Sequence, residues 1–292
     1  MEEMSNSVNK AEFSSIDIMK FIMAICVIAI HTRPFVEIDN DIFQALYEVI
    51  VRVAVPYFFI SSGYLFFNKL DYPYNDKKSI EKLKINAIKT VKMYGIWTLI
   101  YMPITIYDYY TNGQSLYENL YYFFQGLFFL GEHLNSWPLW YLLSAFYGLM
   151  IIYWLLKRNT KPSCIFIISF GIYILGDLVD ILIANMDLIP EIVCIFLRLY
   201  IKTFLKGRIT QGVFFLSCGM MLSNMKIKLS KKHYILFVIG CAVYAFGPIE
   251  FLKPLGLAIY ACIFFVLLLN LGEGKKYKYG VYCIIYVNTR RY

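Results

Sequence analysis

Long apolar runs separated by short polar segments recur along the whole chain. Most of them approach the roughly 20 helical residues that cross a bilayer. We therefore predict an all-α, polytopic bundle of transmembrane helices with about 8–10 spans. The predicted spans are at about 16–36, 49–67, 91–110, 137–156, 163–183, 210–224, 234–249 and 254–271.

Three segments do not fit a simple count of spans. The segment 116–130 is short and rich in tyrosine. Three interpretations of it are open: a further span, a re-entrant piece or an interfacial helix. Residues 184–209 are mixed, and part of that segment is a candidate re-entrant piece. The last apolar stretch has only about eight residues, from Val281 to Asn288, fewer than a span needs. We predict a cytoplasmic leader (1–15), a transmembrane domain (16–287) and a short tail (288–292) with the last helix incomplete.

Composition supports the membrane class. The chain is 59% hydrophobic and 16% charged, with a mean hydropathy of +0.57, which excludes an ordinary soluble domain. The seven cysteines lie in or beside apolar runs and form no CxxC pair, so we expect packing residues, with no disulfide framework and no metal site. The first run lacks a small-residue cleavage site and is interpreted as a first transmembrane helix.

Charge gives an orientation. The net charge of +8 comes from basic residues that cluster after the second, fourth, sixth and eighth runs, while the other connections are acidic or mixed. The positive-inside rule then predicts a multi-pass protein of the cell membrane with a cytoplasmic N-terminus. Nucleic acid is not an expected partner. Residues 68–92 read as a basic amphipathic helix at a surface, with seven lysines at 69, 77, 78, 82, 84, 89 and 92.

The first run carries the strongest candidate chemistry. Asp17, Lys20 and His31 bracket the apolar sequence FIMAICVIAI. Eleven helical steps turn through about 1100°, so Lys20 and His31 share one face and lie about 16 Å apart along the axis. Ionisable groups within a span mark a functional interior by default. A snorkelling lysine and an interfacial histidine are the alternative.

Three segments together resemble the acyltransferase-3 family of membrane proteins. The sequence IDIMKFIMAICVIAIH resembles its first helix, in which ten residues separate a basic residue from a histidine, here Lys20 and His31. VPYFFISSGYLFF at 55–67 is similar to its second-helix motif, and WPLWYLLSAF at 137–146 to its Trp-Tyr-Leu segment. The likeness extends over about 14–272, so the domain at 16–287 is expected to be acyltransferase-3-like.

The resemblance implies about ten transmembrane helices and an O-acyltransferase. Its members transfer an acyl group, commonly acetyl, from cytoplasmic acyl-CoA to a hydroxyl of an extracytoplasmic carbohydrate or cell-envelope acceptor. The expected partners are therefore membrane lipid, acyl-CoA as co-substrate and that acceptor, with no permanently bound cofactor. The family usually has a further helix with a Ser-x-x-x-Tyr-x-x-His-like segment where this chain reads VYCIIYVNTRRY, so an inactive truncated member is one alternative.

Roles carry over residue by residue. His31 would be the catalytic histidine, acting as a base or as an acyl carrier. Lys20 would attract the phosphates of CoA, although snorkelling beside Asp17 explains it equally well. Ser62 and Gly63 form the second-helix pair, for which close helix packing is the main interpretation and a backbone role near the acyl thioester the alternative.

Substrate contacts are predicted for three further residues. Arg52 would bind substrate or stabilise the oxyanion, and a structural salt bridge with Glu48 or an outer acid explains it equally well. Trp140 and Tyr141 would line the acceptor site, against an aromatic belt at the membrane interface. A further hypothesis places Glu132 and His133 on the acceptor side.

A transporter-like membrane module is the competing function class. Family members also form the membrane part of serine racemases, for which transport is a proposed role. In that class Lys20, His31 and Arg52 would line a path, and no acyl transfer would occur.

Overall fold

The computed structural model describes residues 14–113, 115–131, 133, 136–184, 208–225, 227, 229–247 and 252–272. Within these ranges the chain is helical and contains no β-strand, which confirms the all-α prediction. The α-helices are α1 (Ser14–Thr32), α2 (Asp41–Arg52), α3 (Ala54–Phe67), α4 (Lys77–Thr111), α5 (Leu116–Gln125), α6 (Trp140–Lys157), α7 (Pro162–Ala184), α8 (Arg208–Leu222), α9 (Lys231–Phe246) and α10 (Leu252–Gly272).

Four helical segments are long and apolar enough to cross a membrane, so the protein is a multi-pass membrane bundle. They are Ser15–Thr32, Asp41–Phe67, Trp140–Lys157 and Leu252–Asn270. Two shorter apolar helical stretches, Pro162–Gly176 and Ile209–Leu222, coincide with predicted spans five and six. Most of the predicted leader, the mixed segment at 185–207 and the chain after residue 272 lie outside the described residues.

The second predicted span starts earlier than expected and is divided. Its first helix, α2, begins at Asp41, where the Asn40 side chain caps the helix by accepting the Phe43 N–H. The acidic stretch predicted as a loop is therefore partly helical, and Asp41 suits the positive end of the helix dipole. The break falls at Val53, because Pro56 offers no N–H to the carbonyl of residue 52 and its ring crowds that group.

The predicted surface helix and third span are one helix. α4 runs without interruption for 35 residues, starts at an Asp76 cap and continues through Pro103. At about 1.5 Å per residue it is about 52 Å long, well beyond the roughly 30 Å hydrocarbon thickness. The lysine-rich stretch and the apolar stretch that follows are therefore rigidly joined.

The tyrosine-rich segment 116–130 is a helix with a π-helical end. α5 starts at a capping box formed by Ser115 and Glu118, and the π-helix Gly126–Leu130 ends at Gly131, whose φ of 69° suits glycine. Hydrogen bonds tie its two ends to α4, from the Asn119 amide to the Tyr109 carbonyl and from the Tyr94 hydroxyl to the Leu127 carbonyl. Fifteen residues, about 22 Å as a helix, fall short of a full span.

The chain divides into two compact units. The first unit contains α1, α2, α3 up to Ser61, α9 and α10 from Leu255. Its centre is Tyr57, which is fully buried, packs edge-on against Phe264, and donates its hydroxyl to the Ile16 carbonyl at 2.9 Å. A buried hydroxyl in apolar surroundings needs such a partner, so this bond fixes α3 against α1.

The second unit extends from Ser62 to Met225 and includes residues 249–254. α6 and α8 approach closely where Gly212 faces α6, since a Cβ on Gly212 would stand 2.9 Å from the Ser144 carbonyl oxygen. On the other side of α8, Phe214 stacks on Tyr173 of α7 at 4.8 Å. Small residues let one helix face approach closely while aromatic rings fill the other.

The close α6–α8 contact predicts a packing defect on substitution. We expect Gly212→Ala to destabilise the protein by about 1–3 kcal/mol, because the new methyl group meets backbone atoms that cannot yield cheaply. The matched control is Gly171→Ala, since a Cβ there has nothing within 4 Å. Thermal unfolding of the detergent-solubilised protein measures both. Equal midpoints for the two variants would contradict the packing argument.

Candidate functional site

The side chains of α1 divide into three faces. Ile16, Met23 and Cys26 are buried, whereas Phe21 and Ile25 are exposed apolar residues about half a turn away. Between these faces runs a polar stripe, which we define as Asp17, Lys20 and His31. Successive residues turn by about 100°, which places Lys20 and His31 within about 20° of each other and Asp17 beside them. The predicted shared face is therefore present in one unbroken helix.

Two tyrosines hold the ends of this helix. The Tyr57 hydroxyl binds the Ile16 carbonyl, and the Tyr47 hydroxyl binds the Ala29 carbonyl at 2.8 Å. Arg33, with a φ of 44°, ends the helix by donating its N–H to the Ala29 carbonyl at 2.9 Å. α1 ends at Thr32, earlier than predicted, so His31 lies in its last turn with an exposed side chain. The orientation of the polar stripe is thus fixed at both ends.

Lys20 forms an ion pair within the polar stripe. Its Nζ lies 3.6 Å from the Asp17 carboxylate, and the two side chains are 21% and 43% exposed. This contact is the local partner that the snorkelling interpretation predicted. The predicted role of Lys20 toward an anion stays a prediction.

Arg52 is held by Glu48 one turn earlier on α2. Its Nε and one Nη contact the two carboxylate oxygens at 2.8 and 3.3 Å. The Tyr244 hydroxyl of α9 reaches the same carboxylate at 3.4 Å. This geometry is the salt bridge expected as the alternative to substrate binding. The Arg52 side chain is still 47% exposed, and its predicted contact with substrate stays a prediction.

Two of the sequence motifs meet in the second unit. Ser62 Oγ and Tyr141 Oη lie 3.2 Å apart, although 79 residues separate them. Beside this pair, a Cβ on Gly63 would collide with the Leu216 carbonyl oxygen of α8. The structure therefore gives Gly63 a packing role of the kind that was the main interpretation. The predicted contacts of Ser62 and Gly63 with the donor stay predictions.

Trp140 stands at the start of α6, directly after the short 3-10 turn Trp137–Leu139. The backbone at Gly131 passes so close that a Cβ there would lie 2.6 Å from the Trp140 Cα. Trp140 and Tyr141 thus belong to a tightly built turn, and their predicted substrate contacts stay predictions. The partly buried Trp140 side chain fits either interpretation made from the sequence.

His133 occupies a built environment between the π-helix and α6, outside the membrane-spanning segments. The residue is 7% exposed, its ring stacks on Phe123 at 5.2 Å, and its Nδ1 lies 3.4 Å from the Tyr109 hydroxyl. Its Nε2 has no hydrogen-bond partner among the described residues. Burial lowers the pKa of the imidazole, because the charged form is poorly solvated there.

The predicted site residues fall into two groups. Lys20, His31 and Arg52 belong to the first unit, and Ser62, Gly63, Trp140 and Tyr141 to the second. Sequence reasoning missed Tyr47, Tyr57 and Tyr244, whose hydroxyls fix backbone or carboxylate groups of the first unit. The available signal was a tyrosine inside or beside an apolar run, where a buried hydroxyl requires a partner.

Comparison with known families gives one match that covers most of the chain. The model of the family described as acyltransferase domain matches residues 13–287. This range includes the polar stripe, the ISSG segment and the WPLWYL segment. No solved structure matches the chain significantly.

Curated relatives carry racemase names. An amino-acid racemase of Enterococcus faecalis is 29% identical over 240 residues, 80% of this chain and 31% of its own length. A second protein of that name from the same organism is 27% identical over 171 residues, 56% of this chain and 23% of its own length. A serine/alanine racemase of Enterococcus gallinarum is 36% identical over 95 residues, 32% of this chain and 13% of its own length. The chain spans less than a third of these relatives.

The contact between Ser62 and Tyr141 predicts coupled substitutions. We expect Ser62→Ala and Tyr141→Phe each to lower stability by about 1 kcal/mol, because each removes the same hydrogen bond. The double variant should lose little more than either single variant. Thermal unfolding of all four proteins measures the coupling. Fully additive losses would mean that the two hydroxyls do not interact.

The buried imidazole of His133 predicts that the stability of the folded protein depends on pH. Burial holds the folded-state pKa of this imidazole below the ordinary value for histidine, so the unfolded chain takes up the proton more readily. The stability contributed by the neutral imidazole is present above the ordinary pKa of histidine and is lost as the pH falls below it. We expect the unfolding midpoint of the wild type to fall between pH 7.5 and 5.5 by more than that of His133→Phe, which keeps the stacked ring. An equal fall in both proteins would contradict this assignment.

Proposed function

Because the chain belongs to the acyltransferase domain family, we propose that it is a membrane O-acyltransferase that uses acyl-CoA as its donor. The acceptor would be a hydroxyl of an extracytoplasmic carbohydrate or cell-envelope molecule, and the acyl group acetyl. The N-terminus and the basic connections would face the cytoplasm, where acyl-CoA is available. The match to the family supports acyl transfer, and the arrangement of α1 supports the roles that follow.

The observation that carries the proposal is the polar stripe on α1. One helix presents His31 in its last turn and Lys20 about 16 Å along the same face. Tyrosine hydroxyls hold both ends of that helix, so the two groups keep a fixed separation. Acyl-CoA carries its phosphates at one end and its thioester at the other, so it needs a positive charge and a base at two separated points. In the polar stripe, Lys20 would supply the positive charge and His31 the base.

In the proposed reaction, His31 takes the proton of the acceptor hydroxyl as its oxygen attacks the thioester carbonyl. A C–O bond forms, the C–S bond breaks, and the CoA thiolate receives the proton from the imidazolium. Alternatively, an imidazole nitrogen of His31 attacks the thioester carbonyl, a C–N bond forms as the C–S bond breaks, and the CoA thiolate leaves with the ring N–H proton. The acceptor hydroxyl then attacks the acyl-imidazole, a C–O bond forms as the C–N bond breaks, and the hydroxyl proton returns to the imidazole. Both routes conserve atoms and charge and both require the neutral imidazole, which is available near neutral pH.

The remaining predicted residues have supporting roles in the proposal. Lys20 would attract donor phosphate as a point charge while Asp17 holds it in place. Arg52 would use the part of its guanidinium that Glu48 leaves free to contact substrate. Ser62, Gly63, Trp140 and Tyr141 would shape the donor and acceptor surfaces of the second unit.

A transporter-like module is the second candidate. Its support is that curated relatives are named for amino-acid racemization, while this chain matches at most 31% of their length. The shared part need not perform the named reaction and could move a small polar molecule instead. In that case Lys20, His31 and Arg52 would line its path, and acyl-CoA would have no effect.

The first experiment compares acyl-CoA use by the wild type and His31→Gln in proteoliposomes. We expect the variant to lose at least about 100-fold in the release of CoA, because a general base contributes on that order. His233→Gln is the matched control, since His233 contacts Ser230 in the capping box at the start of α9 and is not part of the polar stripe. Labelled acetyl-CoA and a cell-envelope fraction supply donor and acceptor, and chromatography measures free CoA.

Loss of turnover in His31→Gln but not in His233→Gln would support the acyltransferase. Equal turnover in all three proteins would remove His31 from the mechanism. Absence of turnover in the wild type, combined with uptake of a labelled amino acid, would favour the transporter.

A further inference from the structure

The imidazole of His133 is buried and held in place, yet one of its nitrogens has no partner. The His133 N–H donates to the fully buried Ser136 hydroxyl at 2.9 Å, and the Ser136 N–H donates to the His133 carbonyl at 3.1 Å. Phe123 covers one face of the ring, and the Tyr109 hydroxyl lies at Nδ1. Nε2 has no hydrogen-bond partner among the described residues. A buried polar atom in this state is costly unless a ligand or a water pairs with it.

The two tautomers of the ring narrow the chemistry of that partner. If the Tyr109 hydroxyl donates to Nδ1, Nε2 carries the ring proton and needs an acceptor. If Nδ1 donates to the hydroxyl, Nε2 offers a lone pair and needs a donor. A hydroxyl group suits both cases, because it donates and accepts. A carbonyl oxygen or an ammonium group suits only one of them. A hydroxyl-bearing ligand is therefore the best match for Nε2.

The charge around His133 disfavours an anionic ligand. Burial lowers the pKa of the imidazole, so the ring is neutral near pH 7 and offers an anion no positive charge. The sequence from 93 to 156 contains no lysine or arginine, and its acidic residues are Asp108, Glu118 and Glu132. The groups packed on the ring are aromatic, as in many sites for small organic molecules. An uncharged ligand with hydroxyl groups and apolar faces fits this environment, and a carbohydrate has both.

The position of His133 in the second unit agrees with such a ligand. His133 precedes the start of α6, and Lys157 ends that helix about 27 Å away. The Asn75 amide, just before the lysine-rich start of α4, contacts the Asn159 side chain just after α6. The basic ends of both helices therefore lie together, at the end of α6 opposite to His133. Under the proposed orientation that basic end faces the cytoplasm, so His133 lies on the extracytoplasmic side, where a cell-envelope carbohydrate would be met.

α5 is a lightly packed cover over this site. Gln125 is the buried residue of α5, and most of the others are exposed. Phe123 places its ring directly on His133. An element with few buried apolar contacts opens at a lower free energy than the core does. α5 can therefore move away from His133 while the bundle stays folded, and the hydrogen bond from the Asn119 amide to the Tyr109 carbonyl is one contact that this movement gives up.

We propose that Nε2 of His133 binds a hydroxyl group of an uncharged carbohydrate, and that α5 closes over the bound sugar. The site rests on the surroundings of His133. The identification of this sugar as the acyl acceptor rests on the proposed function. His133 acts here as a binding residue, and no proton transfer is assigned to it.

The test observes the imidazole directly. The chain has three histidines, so protein labelled with ¹⁵N in histidine alone gives three sets of ring signals, which His31→Gln and His233→Gln assign by elimination. The full chain in nanodiscs is titrated with methyl β-D-glucopyranoside and with the anionic methyl β-D-glucuronide. We expect the glucopyranoside to shift the Nε2 signal of His133 until it saturates and to leave the His233 signals unchanged. The glucuronide should bind about tenfold more weakly, because its carboxylate finds no cation at the site.

A substitution tests the same contact independently. His133→Phe keeps a ring against Phe123 and removes both nitrogens, so we expect the affinity for the glucopyranoside to fall about tenfold. His233→Gln is the matched control and should keep the affinity of the wild type, because His233 belongs to the capping box of α9. The titration of the wild type decides the question even if His133→Phe does not fold.

The outcomes separate this inference from the proposed function. A His133 signal that neither sugar moves would assign Nε2 to a buried water and overturn the site, and tighter binding of the glucuronide would overturn the uncharged ligand. Glucopyranoside binding that depends on His133, without release of CoA by the wild type, would keep the site and overturn the acyltransferase. Release of CoA combined with equal sugar affinity in the wild type and His133→Phe would keep the acyltransferase and overturn the site.

Discussion

The arrangement of the first unit depends on a single constraint, that polar groups placed among apolar helices must find partners within the protein. Tyr57 meets it by donating to the Ile16 carbonyl from a fully buried position, and Tyr47 meets it at the Ala29 carbonyl. These bonds connect α1 to the helices that follow it at two points. Because the polar stripe lies on α1, the hydrogen bonds from Tyr57 and Tyr47 to the α1 backbone also fix the direction in which the stripe faces. A catalytic histidine needs such fixed geometry, since a small displacement of a base is costly in rate.

The second unit meets the same constraint by close approach. Gly63 and Gly212 let α8 lie against α3 and α6 with backbone in contact, and Ser169 and Ser217 pair their hydroxyls at 2.5 Å between α7 and α8. Without a hydrophobic driving force between helices in lipid, such contacts and hydrogen bonds supply much of the association energy. The Ser62–Tyr141 pair belongs to this pattern. A packing role for Ser62 does not exclude a contact with a ligand, because its exposed hydroxyl can bond to Tyr141 and still accept a second hydrogen-bond partner.

Hydropathy located the apolar helices well, because a span length is a property of the local sequence. The same local reasoning foresaw the Arg52–Glu48 pair, since residues four apart on a helix are neighbours. It divided α4 wrongly, because charge suggested a boundary at which the backbone has no reason to stop. It also placed the start of α2 too late, since an acidic stretch can begin a helix as well as form a loop. Contacts between distant residues, such as Tyr57 with Ile16 or Ser62 with Tyr141, have no local signal beyond the presence of a hydroxyl in an apolar run.

Lys20 and Arg52 differ in how tightly a carboxylate of the chain holds each of them. The more loosely held cation costs less to recruit for an anionic ligand. Arg52 already shares two carboxylate oxygens, so recruiting it for substrate means sharing or weakening an existing pair. Lys20 is held more loosely by Asp17, at 3.6 Å, and can contact an added anion at less cost. These two pairing geometries favour Lys20 over Arg52 as the cation of the first unit that an anionic ligand would recruit.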